Sequence, residues 1–159
     1  ALRFWSKIDY PRSAHKEHIM AKVRMETKLV VPANILWDAI GRFGALGDWH
    51  PAVEKCVSDG ESKGSVRKLS LVGGGSIVER LENISKKEKL YRYSITDSPL
   101  PVADYTAEIR VKDNGDGTST VEWSSKFEPK GAKADEAVRI IQGIYQAGFD
   151  NLKKMYPKK

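Results

Sequence analysis

GGGSIVERLENISKKEKLYRYSITDSPLPVADY, residues 73–105, reads as two antiparallel strands, each approached through a loop that ordinary strand sequence would not contain. Three consecutive glycines, Gly73, Gly74 and Gly75, lift the Cβ restraint and open positive φ, so the chain there can turn sharply. Ser98-Pro99-Leu100-Pro101 does the opposite. Its two prolines fix φ, remove two N–H donors and push the residues before them into extended geometry. A glycine loop and a stiff, apolar-tipped proline loop at neighbouring strand ends are what the rim of a pocket requires.

Outward from this stretch, alternation and helical spacing organise the rest. Val23, Met25, Thr27 and Leu29 alternate with Lys22, Arg24, Glu26 and Lys28, which predicts a half-buried strand over residues 22–30. Pro32 sits where a helix can start, and Ile35, Leu36, Ala39, Ile40 and Phe43 carry a helical period to Gly44. A second short helix over 45–49 ends at His50-Pro51. Strands follow over 53–58, 65–72, 76–84 and 89–96. Another carries Tyr105, Ala107, Ile109 and Val111 on one face, and the turn Asp113-Asn114-Gly115-Asp116-Gly117 joins it to a strand over 118–128 with Val121, Trp123 and Phe127 inward. The last element is a helix over 134–156 whose apolar stripe holds Ala137, Ile140, Ile141, Ile144, Ala147, Gly148, Leu152 and Met155. The order predicts an α+β fold: a curved, seven-stranded antiparallel sheet with two short helices after strand 1, wrapped around one long C-terminal helix. A curved sheet closes poorly on a single helix, so a cavity is expected between them.

Composition narrows the function. The 159 residues make one domain large enough for a real core, placed at 21–159, with 1–20 an N-terminal extension, either a packed arm or cloning-derived sequence. No apolar run reaches the length of a membrane span and no signal-peptide pattern appears, so a cytoplasmic protein without stable membrane insertion is expected. The single Cys56 fits a reducing compartment. The net charge of +6 resides wholly in residues 1–20 and in the lysines from Lys153 onward, leaving no basic face for nucleic acid. His15 and His18 lie in the leader, so His50 and Cys56 are all the domain offers toward zinc. Neither a P-loop nor G-x-G-x-x-G nor G-x-S-x-G is present. No metal and no cofactor are expected, and oligomeric state is left open.

The element order, with G-S-V-R, G-G-G-S-I-V-E-R-L and P-L-P-V-x-x-Y, and with Trp37-Asp38 and Asp48-Trp49-His50-Pro51, resembles the polyketide cyclase/dehydrase-like branch of the START and birch-pollen-allergen superfamily over residues 22–156. The resemblance implies a helix-grip fold and a cavity under the terminal helix for lipids, sterols, polyketides or plant hormones. The plant abscisic acid receptors are similar at a distance, through Glu79-Arg80-Leu81 and Tyr105. In them the loop matching Val72–Ser76 is a gate and that matching Ser98–Val102 a latch. Here glycines replace the gate's proline, Leu100-Pro101-Val102 replaces the latch's His-Arg-Leu, and Glu54 matches the lysine that meets the hormone carboxylate.

Each candidate has two readings. Glu79, between Ile77 and Leu81 on one strand face, is a polar cavity group or the structural partner of Arg67. Tyr105 lines the pocket or the core, and Trp123 with Phe127 is core before it is contact surface. Gly148 marks close helix–sheet packing or room for a ligand, and His50 is a hydrogen-bonding histidine before a catalytic one. The expected ligand-binding set is Glu54, Val72, Gly73, Gly74, Gly75, Ile77, Glu79, Leu100, Pro101, Tyr105, Trp123, Ile140, Ile144 and Gly148. The leading expectation is a carrier or sensor for a small hydrophobic ligand. Its rivals are a metal-free cyclase or dehydratase using Glu79, Tyr105 or Arg67, and an interaction module with a filled core.

Overall fold

The computed structural model describes residues 20–158, so the leader with Phe4, Trp5, His15 and His18 lies outside the described residues. Seven strands form one antiparallel sheet in the order β1-β7-β6-β5-β4-β3-β2. They are β1 (Ala21–Leu29), β2 (Val53–Ser58), β3 (Val66–Leu71), β4 (Ser76–Ser85), β5 (Leu90–Asp97), β6 (Val102–Asp113) and β7 (Ser119–Pro129). Five successive hairpins therefore run from β2 to β7, and β1 closes the far edge against β7, with Val23 opposite Ser125 and Met25 opposite Trp123.

The inner face follows the alternation. Tyr105, Ala107, Ile109 and Val111 of β6 and Val121, Trp123 and Phe127 of β7 are all buried. The outer face carries ion pairs instead: Glu122 meets Arg24 at 2.7 Å and Lys112 at 2.8 Å, and Arg92 meets Glu108 at 2.9 Å. Helix α1 (Ala33–Ile40) stops short of the expected Gly44. Gly41 lies against the Trp37 ring, Arg42 is extended, and Phe43–Ala45 forms a separate tight turn. The backbone N–H groups of Phe43 and Gly44 donate to the Glu61 carboxylate at 2.7 and 3.0 Å, replacing the partners that a continuing helix would have supplied. Helix α2 (Leu46–Trp49) follows, and the buried Leu36, Ile40, Phe43, Leu46 and Trp49 fill one end of the sheet.

Helix α3 (Ala134–Met155) crosses the concave face and buries Ala137, Ile141, Tyr145, Gly148, Phe149 and Leu152. This stripe is rotated from the expected one: Tyr145 and Phe149 join it, while Ile140 and Met155 lie at its exposed margin. Among the described residues, no helix is long and apolar enough to cross a membrane.

Candidate functional site

Between the concave sheet and the first half of α3 lies a cavity of about 260 Å³. Residues two apart on a strand share a face, so β3 contributes Leu69 and Leu71, β4 contributes Ile77 and Glu79, and β5 contributes Tyr93 and Ile95. Tyr105 enters from β6 within a β-bulge between Ala103 and Thr106, where Asp104 takes a positive φ of 50°. Trp123 of β7 adds to the floor, and Ile140, Ile141, Ile144 and Tyr145 of α3 form the roof. Leu46 and the corner residues His50, Ala52 and Val53 close the side.

The mouth lies at the two loops singled out by sequence. Gly73, Gly74 and Gly75 have φ of 87°, 106° and 91°, a left-handed run that residues with a Cβ rarely adopt. The opposite loop is held by its own backbone: Val102 N–H donates to Leu100 at 2.8 Å and Lys130 N–H to Pro101 at 3.0 Å. A Cβ on Gly75 would stand 4.0 Å from Pro99 Cγ, so the loops are within touching distance. Val72, 64% exposed, and Ile140, 36% exposed, give the mouth an apolar lip.

Few polar groups reach the cavity. Glu79 is the carboxylate of a buried ion pair, with Arg67 Nε and Nη2 each 2.8 Å from Oε1. Arg67 also donates from Nη1 to the Phe43 carbonyl at 2.8 Å and lies over the Phe43 ring, 4.2 Å from its centroid. Burial pushes the Glu79 carboxyl up, and the Arg67 guanidinium partly offsets this. Three phenols line the cavity as a chain: Tyr93 and Tyr105 oxygens are 3.3 Å apart, Tyr105 and Tyr145 share a short hydrogen bond, and Trp123 Nε1 donates to Tyr93 at 2.9 Å. Burial holds Tyr93 and Tyr105 well above the ordinary phenol value and Tyr145 above it too, so these groups act as hydrogen-bond donors rather than bases. His50 is neutral by geometry, with Nε2 donating to the Ile144 carbonyl at 2.7 Å and Nδ1 accepting from Ala52 N–H at 3.1 Å. Its burial pushes the imidazole down. No group of three or more His, Cys, Asp or Glu among the described residues could hold a metal.

Of the residues expected from sequence, Val72, Ile77, Glu79, Leu100, Tyr105, Trp123, Ile140 and Ile144 are brought together on the cavity wall. Gly73, Gly74, Gly75 and Pro101 shape its mouth without lining it. Arg67 stands behind Glu79, fully buried, as the structural reading of that pair had it. Two expectations need correcting. Glu54 is exposed, because alternation from the inward Val53 turns it outward and a bulge between Val53 and Lys55 keeps it there. Gly148 leaves no room for a ligand: a Cβ there would lie 3.0 Å from His50 and Trp49. Tyr93, Tyr145 and His50 line the cavity without having been assigned to it. Tyr93 was legible as the middle of the alternating Tyr91, Tyr93 and Ile95, and Tyr145 as the residue four beyond Ile141.

Solved structures share this architecture. An uncharacterised protein of Bacillus thuringiensis has a TM-score of 0.81 at 34% identity, covering 87% of this chain and 100% of that one. XoxI of Bacillus cereus has a TM-score of 0.80 at 34% identity, over 86% of this chain and 95% of its own. A point mutant of Thalictrum flavum norcoclaurine synthase, solved with a transition-state analogue, is alike in fold alone, with a TM-score of 0.65 at 20% identity over 86% of this chain and 94% of that one. No match was found among the curated proteins. Helix-grip folds of this kind bind hydrophobic ligands, and the family model described as polyketide cyclase / dehydrase and lipid transport matches residues 20–156, so the chain belongs to that family.

Proposed function

We propose that the protein is a cytoplasmic carrier or sensor that buries one small hydrophobic molecule between the sheet and α3, admitted between the 72–76 and 98–102 loops. The observation that carries this is the cavity itself: about 260 Å³, walled by aliphatic and aromatic side chains from six strands and α3, with its mouth between two neighbouring loops. Such a site gains roughly 25 cal/mol for each Å² of ligand apolar surface removed from water. Glu79 is tied to Arg67 and the phenols stay protonated, a set suited to orienting a ligand.

Native mass spectrometry of the purified protein, together with titration of a fluorescent apolar probe, tests the reading. Ile144→Phe adds bulk to the roof without touching the backbone carbonyl that His50 uses, and it is expected to weaken probe binding at least tenfold. Unchanged probe affinity in that variant would place binding elsewhere and end the proposal.

A further inference from the structure

We infer that His50 is a proton-operated clasp between α3 and the mouth loop: the neutral ring holds the loop closed and the protonated ring releases it, so mild acid opens the cavity. This rests on the ligand-binding reading above and adds a control on entry and exit to it.

The clasp is a series of three hydrogen bonds running from the roof to the lip. His50 ends α2 at the corner before β2, its backbone N–H donating to the Leu46 carbonyl at 2.9 Å. Its ring reaches the roof through Nε2, which donates to the Ile144 carbonyl at 2.7 Å. On the other side Nδ1 accepts from the Ala52 N–H at 3.1 Å. The Ala52 carbonyl then accepts from Val72 N–H at 2.9 Å, one step beyond the Val53–Leu71 pair that ends the β2–β3 ladder. Val72 is the exposed lip and the first residue of the 72–76 loop. The turn bonds of that loop, Gly74 N–H to Leu71 and Leu71 N–H to Gly75, only close it on itself. The corner therefore ties the mouth to α3.

The two partners dictate the state of the ring. A carbonyl only accepts and an amide N–H only donates, so Nε2 carries the hydrogen and Nδ1 is bare. A second proton goes to Nδ1 and there faces the Ala52 N–H, donor to donor. The Ile144 bond survives this change and the Ala52 bond does not. The ring has no space to step aside: a Cβ on Gly148 would lie 3.0 Å from its Cδ2, and it stands edge-on to Trp123 at 6.0 Å. Pro51 and Ala52 are exposed and have that space. When Ala52 turns away, the carbonyl that holds Val72 moves with it, and water reaches the ring.

No neighbouring charge takes over the role of the proton. Asp48 of α2, Glu54 and Lys55 of β2 and Asp150 of α3 are all exposed, and β7 presents the uncharged Trp123. Inside the cavity Glu79 is bound to Arg67, and Tyr93, Tyr105 and Tyr145 stay protonated. Burial pushes the closed imidazole down, and the Ile144 carbonyl offsets part of this. Opening to water restores the ordinary value of about 6.5, so proton uptake in acid favours the open corner.

Amide exchange of the ligand-free full chain, corrected for the intrinsic rate at each pH, follows the clasp directly. Between about pH 7.5 and about pH 5.5 one histidine of ordinary open-state value supplies at most about tenfold, so protection of Val72 is expected to fall about five- to tenfold. Val72 should exchange faster than Val111, whose N–H donates to the Lys89 carbonyl at 2.8 Å at the far end of the sheet, because the opening is local. Release of preloaded N-phenyl-1-naphthylamine, timed by stopped-flow fluorescence, is expected to quicken by the same factor. In His50→Gln, which has no titratable proton at this position, both pH dependences should flatten. Nitrogen NMR of the parent's imidazole gives a check that needs no variant: Nδ1 must gain its proton over the pH range in which Val72 loses protection. The inference is overturned if Val72 exchanges only at the rate of Val111, if its protection does not change with pH, if release is no faster in acid, or if His50→Gln keeps the pH dependence. A naphthylamine that never binds would instead end the ligand-binding reading, and exchange at Val72, measured without ligand, keeps the two failures apart.

Discussion

Two glycines of α3 should respond to the same substitution with opposite signs. Gly143 and Gly148 both lie inside the helix, where Gly→Ala gains about 1 kcal/mol of helix propensity. At Gly143 nothing stands within 4 Å of the new Cβ, so that gain is expected in full. At Gly148 the Cβ would lie 3.0 Å from His50 Cδ2, 3.0 Å from Trp49 Cζ3 and 3.2 Å from Trp123 Cζ3. Carbon atoms rest near 3.5–4.0 Å, so three rings must withdraw by roughly half an ångström. They are poorly placed to do so. Trp49 and Trp123 pack with centroids 5.5 Å apart, His50 stands edge-on to Trp123 at 6.0 Å, and two hydrogen bonds pin His50.

Overpacking of this kind costs about 1–3 kcal/mol, which outweighs the propensity gain. Gly148→Ala is therefore expected to destabilise by about 1 kcal/mol, against about 1 kcal/mol of stabilisation for Gly143→Ala. For a domain of this size that is a melting temperature about 3 °C lower in one variant and about 3 °C higher in the other. Both variants lose the same backbone freedom when unfolded, so the difference between them, about 2 kcal/mol, reports the ring contacts. Urea unfolding followed by circular dichroism measures it. Equal stabilisation of both would show that the ring wall yields, and close packing would no longer explain Gly148.

Arg67→Met leaves the Glu79 carboxylate buried without its partner and is expected to cost about 3–5 kcal/mol; Arg67→Met/Glu79→Leu should recover most of that loss, and a double variant no better than the single would refute the pairing. His50 gives a pH dependence whose sign is fixed by its lowered folded-state value. The unfolded chain takes up the proton first, so stability is full above the unfolded value of about 6.5 and declines as pH falls below it toward the folded one. Urea midpoints between about pH 7.5 and pH 5 should show this slope in the parent and a shallower one in His50→Gln; identical slopes would assign the effect to other groups.

Most of the sheet was legible because one face of each strand is buried and the other wet, which writes a period of two into β1, β4, β6 and β7. The Arg67–Glu79 pair was legible for the same reason, since a charged residue between Ile77 and Leu81 needs a partner on the neighbouring strand. Where local pattern and tertiary demand diverged, reading failed. Phe43 continues the helical period of α1, yet it leaves the helix to sit under the Arg67 guanidinium, a demand made by a strand more than twenty residues away. The inward placement of Glu54 came from the likeness to hormone receptors. The alternation beginning at Val53 already pointed the other way.

The cavity itself was the least legible part, because it is space that side chains leave open, and long-range placement of α3 decides where that space lies. Gly148 lets the middle of α3 approach the Trp49, His50 and Trp123 rings, with a virtual Cβ as close as 3.0 Å. The same contact brings the Ile144 carbonyl to His50, which fixes the helix against the corner before β2. With its second half seated in this way, α3 still buries Ala137 and Ile141 in its first half, while the concave sheet leaves a gap beneath Ile140 and Ile144. Ile140 remains 36% exposed and Ile144 half-buried, and the phenols of Tyr93, Tyr105 and Tyr145 are left along the wall of the resulting gap.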